Sequence, residues 1–122
     1  MFSPRASADH YRGLAKQMLL SKLSGERVRA KDYLYALRAI LAARWVLGGK
    51  KIPPVPFAEL VPYAPELVTR LVPELLAHKA RTVEAEQMAR IPTLDSYLAE
   101  SLGDIESAIA GMTHTPATGE SG

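Results

Sequence analysis

Lys31, Tyr35 and Arg38 stand at i, i+4 and i+7 of the segment Lys31 to Val46, and Ala42 and Trp45 follow at i+11 and i+14. At about 100° per residue these positions share one face of a helix. A cation, an aromatic ring and a second cation along one face form the set needed to stack a base and neutralise phosphates. Arg44 lies nearer the Tyr33 and Leu37 side and is a fourth candidate for substrate contact. A plainer reading stands beside this one: Tyr35 and Trp45 as core aromatics, Lys31 paired to a glutamate of another helix, and Arg38 capping a helix end. The expectation is a nucleotide or nucleic-acid contact by Lys31, Tyr35, Arg38 and Arg44, with Trp45 the member most readily explained as core.

The other reactive residue types are scattered. Two-metal nucleotidyl transfer needs carboxylates close enough to bridge metal ions, usually two on one strand at i, i+2. Asp9, Asp32, Asp95 and Asp104 are isolated, and Glu84 and Glu86 have the spacing within a helical pattern, where such positions point apart and read as a solvated face. Gly48-Gly49-Lys50-Lys51 has no hydroxyl residue after the lysines and is followed by Ile52-Pro53, so it reads as a helix stop and not a phosphate loop. His10, His78 and His114 are far apart, without a carboxylate or second histidine at i+3 or i+4, and no metal site is expected. Arg5 and His10 fit Arg-x4-His, which resembles the ribonuclease motif of small helical toxin domains, where arginine positions phosphate and histidine does acid-base work. Pro4 would place Arg5 in a loop, and His10-Tyr11 is better explained as the start of a helix.

The segment that positions the candidate face is apolar around nearly its whole circumference, through Leu34, Leu37, Ile40, Leu41, Ala42 and Ala43. Such a helix has to be covered on several sides. Charges on it are therefore expected to be paired or placed to meet a ligand. Before it, Ser7 or Asp9 can cap a helix from about Asp9 to Leu23, whose stripe Tyr11, Leu14, Ala15, Met18 and Leu19 would lie against the central helix. Ser24-Gly25-Glu26 stops that helix, Arg27 to Ala30 leads into the central one, and Gly48-Gly49 ends it. Lys50 to Pro56 is an extended connector, because its prolines cannot continue a helix. Phe57 to Val61 makes a short helix, Pro65 opens another, and Pro73 kinks it or starts the next, with Leu71, Leu75 and Leu76 in the pattern. After Ile91-Pro92-Thr93 comes a last amphipathic helix with Leu94, Tyr97, Leu98, Leu102, Ile105 and Ile109 inward. The sequence thus predicts an all-α bundle of about five helices around a central buried helix over residues 1–110, and a disordered tail over 111–122.

At 122 residues and 48% hydrophobic, the chain has the size of one domain with a modest core. It has no cysteine, which excludes disulfides and thiolate metal sites. No apolar run approaches the ~18 residues a membrane span needs, and the N-terminus lacks a secretory h-region, so the expected location is cytoplasmic, with no membrane partner. The net charge of +2 hides an asymmetry: residues 1–51 hold eleven Lys and Arg against three Asp and Glu, whereas residues 52–122 hold four against ten. The basic half is the side expected to meet an anion.

The blocks HYRGLAKQ (His10 to Gln17), KDYLYALRAILAARW (Lys31 to Trp45), PPVPFAEL (Pro53 to Leu60), LLAHK (Leu75 to Lys79) and IPTLDSYL (Ile91 to Leu98) occur in this order. Together they resemble the C-terminal helical half of a family of predicted nucleotidyltransferases in the DNA polymerase beta superfamily, some associated with RNA repair. The resemblance implies an α-helical domain that packs on a nucleotidyltransferase domain and closes over its nucleotide. That family's catalytic half, with a Gly-Ser turn and an Asp-x-Asp pair holding two metal ions, would precede His10, where only nine residues stand. The expectation is a substrate-facing domain, inactive alone, that uses no cofactor itself. Mg2+ enters only with a separate catalytic domain as partner, and nucleoside triphosphate or RNA is the ligand. The competing readings are a basic RNA-binding or protein-interaction module and a small ribonuclease using Arg5 and His10.

Overall fold

The computed structural model describes residues 3–49, 52–81 and 87–114. Five α-helices appear in it: α1 (Pro4–Leu20), α2 (Ala30–Leu47), α3 (Glu66–Thr69), α4 (Leu71–Arg81) and α5 (Pro92–His114). Two short 3-10 turns, η1 (Phe57–Glu59) and η2 (Val61–Tyr63), lie between α2 and α3. A two-residue antiparallel ladder joins β1 (Arg27–Val28) to β2 (Met88–Ala89), pairing Arg27 with Ala89 and Val28 with Met88. Among the described residues the protein is all-α apart from that ladder. Among the described residues no helix is long and apolar enough to cross a membrane.

α2 is the buried axis. Ala30, Tyr33, Ala36, Leu37, Ala39, Ile40, Leu41, Ala42, Ala43 and Val46 are all within a few per cent of complete burial. Helices α1, α4 and α5 pack around it, with α1 making the most extensive contact. Small side chains permit that close approach: Ala8 and Ala15 of α1 are fully buried, opposite a helix with alanines at 36, 39, 42 and 43. The ends of α2 are marked as its sequence requires. Asp32 in the first turn takes Arg29 at 3.0 Å and offers negative charge to the positive end of the helix. Gly48 is the C-cap, and Gly49 follows at φ 89°, a left-handed conformation that suits glycine.

Two boundaries and one helix face differ from the sequence reading. α1 begins at Pro4 and not near Asp9, because Ser3 caps it, accepting from the Ala6 amide at 3.3 Å, and a proline at the first helical position loses no hydrogen bond. Arg5 is therefore helical and not in a loop. Within α1, Leu14 is 42% exposed, and the stripe facing the core runs through Ala8, Tyr11, Ala15, Met18 and Leu19. At the other end α5 continues through His114, past the expected stop at residue 110, while residues 115–122 of the predicted tail lie outside the described residues. The inward face of α5 is as expected: Leu94, Leu98, Ile105 and Ile109 are buried, and Tyr97 and Leu102 pack partly against the core.

Candidate functional site

The two sides of α2 treat their charges differently. On the side that meets α5, Arg44 donates from Nη2 to Ser101 Oγ at 2.9 Å and to Asp104 Oδ2 at 3.3 Å, and its Cζ lies 5.8 Å from the centroid of the Tyr97 ring. Ser101 is fully buried, so the guanidinium satisfies a hydroxyl that would otherwise cost free energy. One turn from the start of the same side, Tyr33 is fully buried and its Oη donates to Asp95 Oδ1 at 2.7 Å while accepting the Ile91 amide at 2.9 Å. Burial pushes the Tyr33 phenol up to about 12, because the phenolate would lose its hydration there, and the Asp95 carboxylate adds to the effect. Arg90 closes the cluster: it grips both oxygens of Asp95, at 3.0 and 3.1 Å, and donates to the carbonyls of Leu23 and Gly25 at 2.8 and 2.6 Å. The hydrogen bonds to Asp95 hold the Arg90 charge and raise its pKa. This node ties α2, the turn after α1 and the start of α5 together.

The opposite side carries the residues that sequence spacing groups. Tyr35 is 66% exposed. Arg38, half-buried one turn on, donates from Nη1 to the backbone carbonyl of Val55 at 2.7 Å, pinning the proline-rich connector against the helix. Lys31 is half-buried in the first turn, and Ala42 is buried. Half-buried Trp45 meets the ring of Tyr63 edge-on, with centroids 4.9 Å apart and planes at 81°. So the structure keeps Lys31, Tyr35 and Arg38 on one face and sends Arg44 to α5. Tyr63, which the spacing along α2 did not single out, joins that face because η2 folds back on it. The signal for it was present in Val61-Pro62-Tyr63, a second proline turn that ends the crossing segment.

The four isolated aspartates are all bound by arginines: Asp9 by Arg12 at 2.9 Å, Asp32 by Arg29 at 3.0 Å, Asp95 by Arg90 at 3.0 Å and Asp104 by Arg44 at 3.3 Å. Arg12 and Lys16 of α1 also reach Glu106 of α5, at 3.4 and 3.7 Å. Part of the charge of basic α1 and α2 thus meets acidic α5, through Arg12, Lys16 and Arg44. Arg5, Lys22 and Arg27 of the basic half are exposed. Glu84, Glu86, Lys50 and Lys51 lie outside the described residues. Among the described residues no group of three or more His, Asp or Glu converges on a point where a metal ion could sit.

His10 and Arg5 are both exposed on α1, and five residues on a helix place them about 140° apart, so they do not converge as a ribonuclease pair would require. His78 lines a mostly apolar cavity of about 310 Å³ with Glu74, Leu75, Ala77, Met88 and Ile91, between α4 and the β2–α5 junction. Its two polar residues sit at i and i+4 of α4, and nothing nucleophilic lies with them.

A family model described as "RNA repair pathway DNA polymerase beta family" matches residues 1–119. The chain is also 34% identical over 110 residues to a Bacillus subtilis (strain 168) protein named "Uncharacterized protein YcgL", an alignment covering 88% of this chain and 42% of the relative. The chain therefore spans less than half the length of that curated relative. No solved structure matches the chain.

Proposed function

The chain belongs to the RNA repair pathway DNA polymerase beta family, and we propose that within a nucleotidyltransferase it is the helical part that faces the nucleotide or nucleic acid. Lys31, Tyr35 and Arg38 contribute the contact, and the transfer chemistry resides in a separate catalytic domain. The observation that carries this reading is the exposed side of α2, where a 66%-exposed tyrosine and a guanidinium bound, among the described residues, to a neutral carbonyl stand on a mostly buried helix. Arg44 belongs less to the contact than to the fold, since Ser101, Asp104 and Tyr97 already occupy it.

Family chemistry uses two metal ions, and the described residues do not fit them. A metal pair needs free carboxylates a few ångströms apart, whereas Asp9, Asp32, Asp95 and Asp104 each hold an arginine at a separate place. No step through a metal ion is therefore assigned to this chain. Its share is to bind and orient, which is worth a large part of the barrier in phosphoryl and nucleotidyl transfer, where positioning and charge neutralisation dominate. In this reading Mg2+ arrives with the catalytic domain, and the protein works in the cytoplasm.

Calorimetric titration of the chain with a nucleoside triphosphate and with a short RNA tests the proposal. Tyr35→Ala and Arg38→Ala are expected to weaken binding while the fold is kept. Unchanged affinity in both variants would remove the assignment. The chain alone should incorporate no labelled nucleotide with Mg2+ or Mn2+, and incorporation that survives further purification would overturn the division of labour.

A further inference from the structure

Arg12, Arg29, Arg44, Arg70 and Arg90 each hold a carboxylate. Arg38 holds a neutral group instead, donating from Nη1 to the Val55 carbonyl at 2.7 Å. A carboxylate fixes a guanidinium and cancels its charge at the same time, whereas a carbonyl fixes it and leaves the charge for another anion. Arg27 also donates to a carbonyl, that of Gln87, but beside the β1–β2 ladder that already joins those segments.

Val55 is set apart by its place in the chain, between Pro54 and Pro56. Proline fixes its own φ, and Pro56 sits at φ −67° and ψ 124°. The ring of Pro56 also bars the residue before it from the helical region, so Val55 is held extended and the direction of its carbonyl is set. Among the described residues the first backbone hydrogen bond after Gly49 runs from the Glu59 amide to the Pro56 oxygen, at 3.1 Å. Stiffness here comes from proline and not from a ladder. The Val55 side chain is 79% exposed, whereas Leu60, five residues on, is fully buried and anchors the end of the connector. On the other side of the bond, Leu37 and Ala39 are buried, so the core fixes the backbone of Arg38 and only its rotamers remain free. An arginine has more of that freedom to lose than most side chains.

We infer that Val55, stiffened by Pro56, is a positioning residue for Arg38: its carbonyl holds the guanidinium in place, with the charge uncancelled, before the phosphates of a nucleotide arrive. The inference rests on the nucleotide-facing reading of α2 and deepens it by making the connector part of the site. The dependence runs opposite to that of a fastener, since the connector holds the arginine. Ordering Arg38 in advance raises affinity without adding a contact to the ligand.

Inorganic tripolyphosphate is the probe, titrated calorimetrically into the whole chain and its variants. Pro56→Ala keeps the carbonyl that Glu59 uses, and Pro56 is exposed, so the fold is expected to hold, which a thermal melt checks. The substitution should weaken tripolyphosphate about three- to tenfold, the range for one arginine that must be ordered on binding. Arg38→Ala should weaken it at least as much. Adding Pro56→Ala to Arg38→Ala should change nothing more, because the proline acts through the arginine. In NMR spectra of the arginine Nε–H groups, the Arg38 signal, identified by its loss in Arg38→Lys, should gain mobility in Pro56→Ala while those of Arg44 and Arg90 stay as they are. Three results overturn the inference and leave the nucleotide-facing reading intact: Pro56→Ala neutral in binding, Pro56→Ala weakening the Arg38→Ala variant by the same factor as the parent, or an Arg38 side chain as mobile in the parent as in Pro56→Ala. Unchanged binding in Arg38→Ala removes both. No tripolyphosphate binding by the parent also overturns the inference, and the nucleotide titration then decides the reading by itself.

Discussion

One helix, α2, presents two polar sides that differ in what their charges hold. Toward α5, Tyr33 and Arg44 are tied into side chains of another helix, and the partners Ser101 and Asp95 are buried or partly buried. Toward the connector, Tyr35 is open to solvent and Arg38 holds a backbone carbonyl. The difference shows that a charge on a core helix is not by itself a functional signal. On one side charge is a fastener between helices, and its removal strands a partner away from water. On the other the polar groups keep donors and ring faces outward, and their removal is expected to cost binding more than stability.

Substitutions can break this comparison, and the largest effect is expected in the apolar layer that both sides share. Leu37→Ala or Ile40→Ala should destabilise by ~2–5 kcal/mol in urea melts, since both are fully buried and leave a cavity in a small core. A loss under ~1 kcal/mol would mean α2 is not the axis of the fold.

Asp95→Ala should come next, at roughly 2–4 kcal/mol. It strands Arg90 and the Tyr33 hydroxyl together, and it falls below the cost of breaking a fully buried pair because the Arg90 and Asp95 side chains are 30% and 26% exposed. Thermal melts measure it, and a neutral outcome would reduce the node to surface decoration.

The same node makes a pH prediction. Tyr33 in the folded protein has its pKa raised from 10 to about 12, so its neutral form is the stabilised one. That contribution is fully present below pH ~10 and is lost as pH rises toward 12, because the unfolded phenol ionises first. Tyr33→Phe should be less stable at neutral pH, and its stability should fall less steeply than that of the parent between pH 10 and 12. Parallel slopes over that range would show that Tyr33 ionises as readily as a solvated phenol.

The smallest pair of effects sharpens the contrast most. Arg44→Ala should cost about 1–2 kcal/mol by leaving Ser101 without its donor, with little change in nucleotide or RNA affinity. Arg38→Ala should cost about 1 kcal/mol or less, since the Val55 carbonyl can turn to water, while ligand binding weakens. The reverse pattern, with Arg38 structural and Arg44 needed for ligand, would exchange the roles of the two sides.

Periodicity and punctuation determined much of this protein. The continuous apolar circumference of Lys31 to Val46 could only mean a covered helix, and Gly48-Gly49 could only end it. Leu94, Leu98, Ile105 and Ile109 announced the inner face of α5 for the same local reason: side-chain direction along a helix follows from residue number. The shared face of Lys31, Tyr35 and Arg38 was legible on that basis, as were the blocks by which the family could be recognised. Local spacing could not say which element covers each side. That Arg44 ends at Asp104, 60 residues away, that Arg90 closes on Leu23 and Asp95, and that Tyr63 returns to Trp45 all depend on how helices pack. Arginine reach and ring contact are set by interhelical distance, and no period in the chain encodes it. The start of α1 was misread for a different reason, since a proline can stop or begin a helix, and the Ser3 cap resolved it only once the backbone was folded. The basic and acidic halves were visible as composition, but only the tertiary structure laid α5 along α1 and α2 so that Arg12 and Lys16 reach Glu106 and Arg44 reaches Asp104.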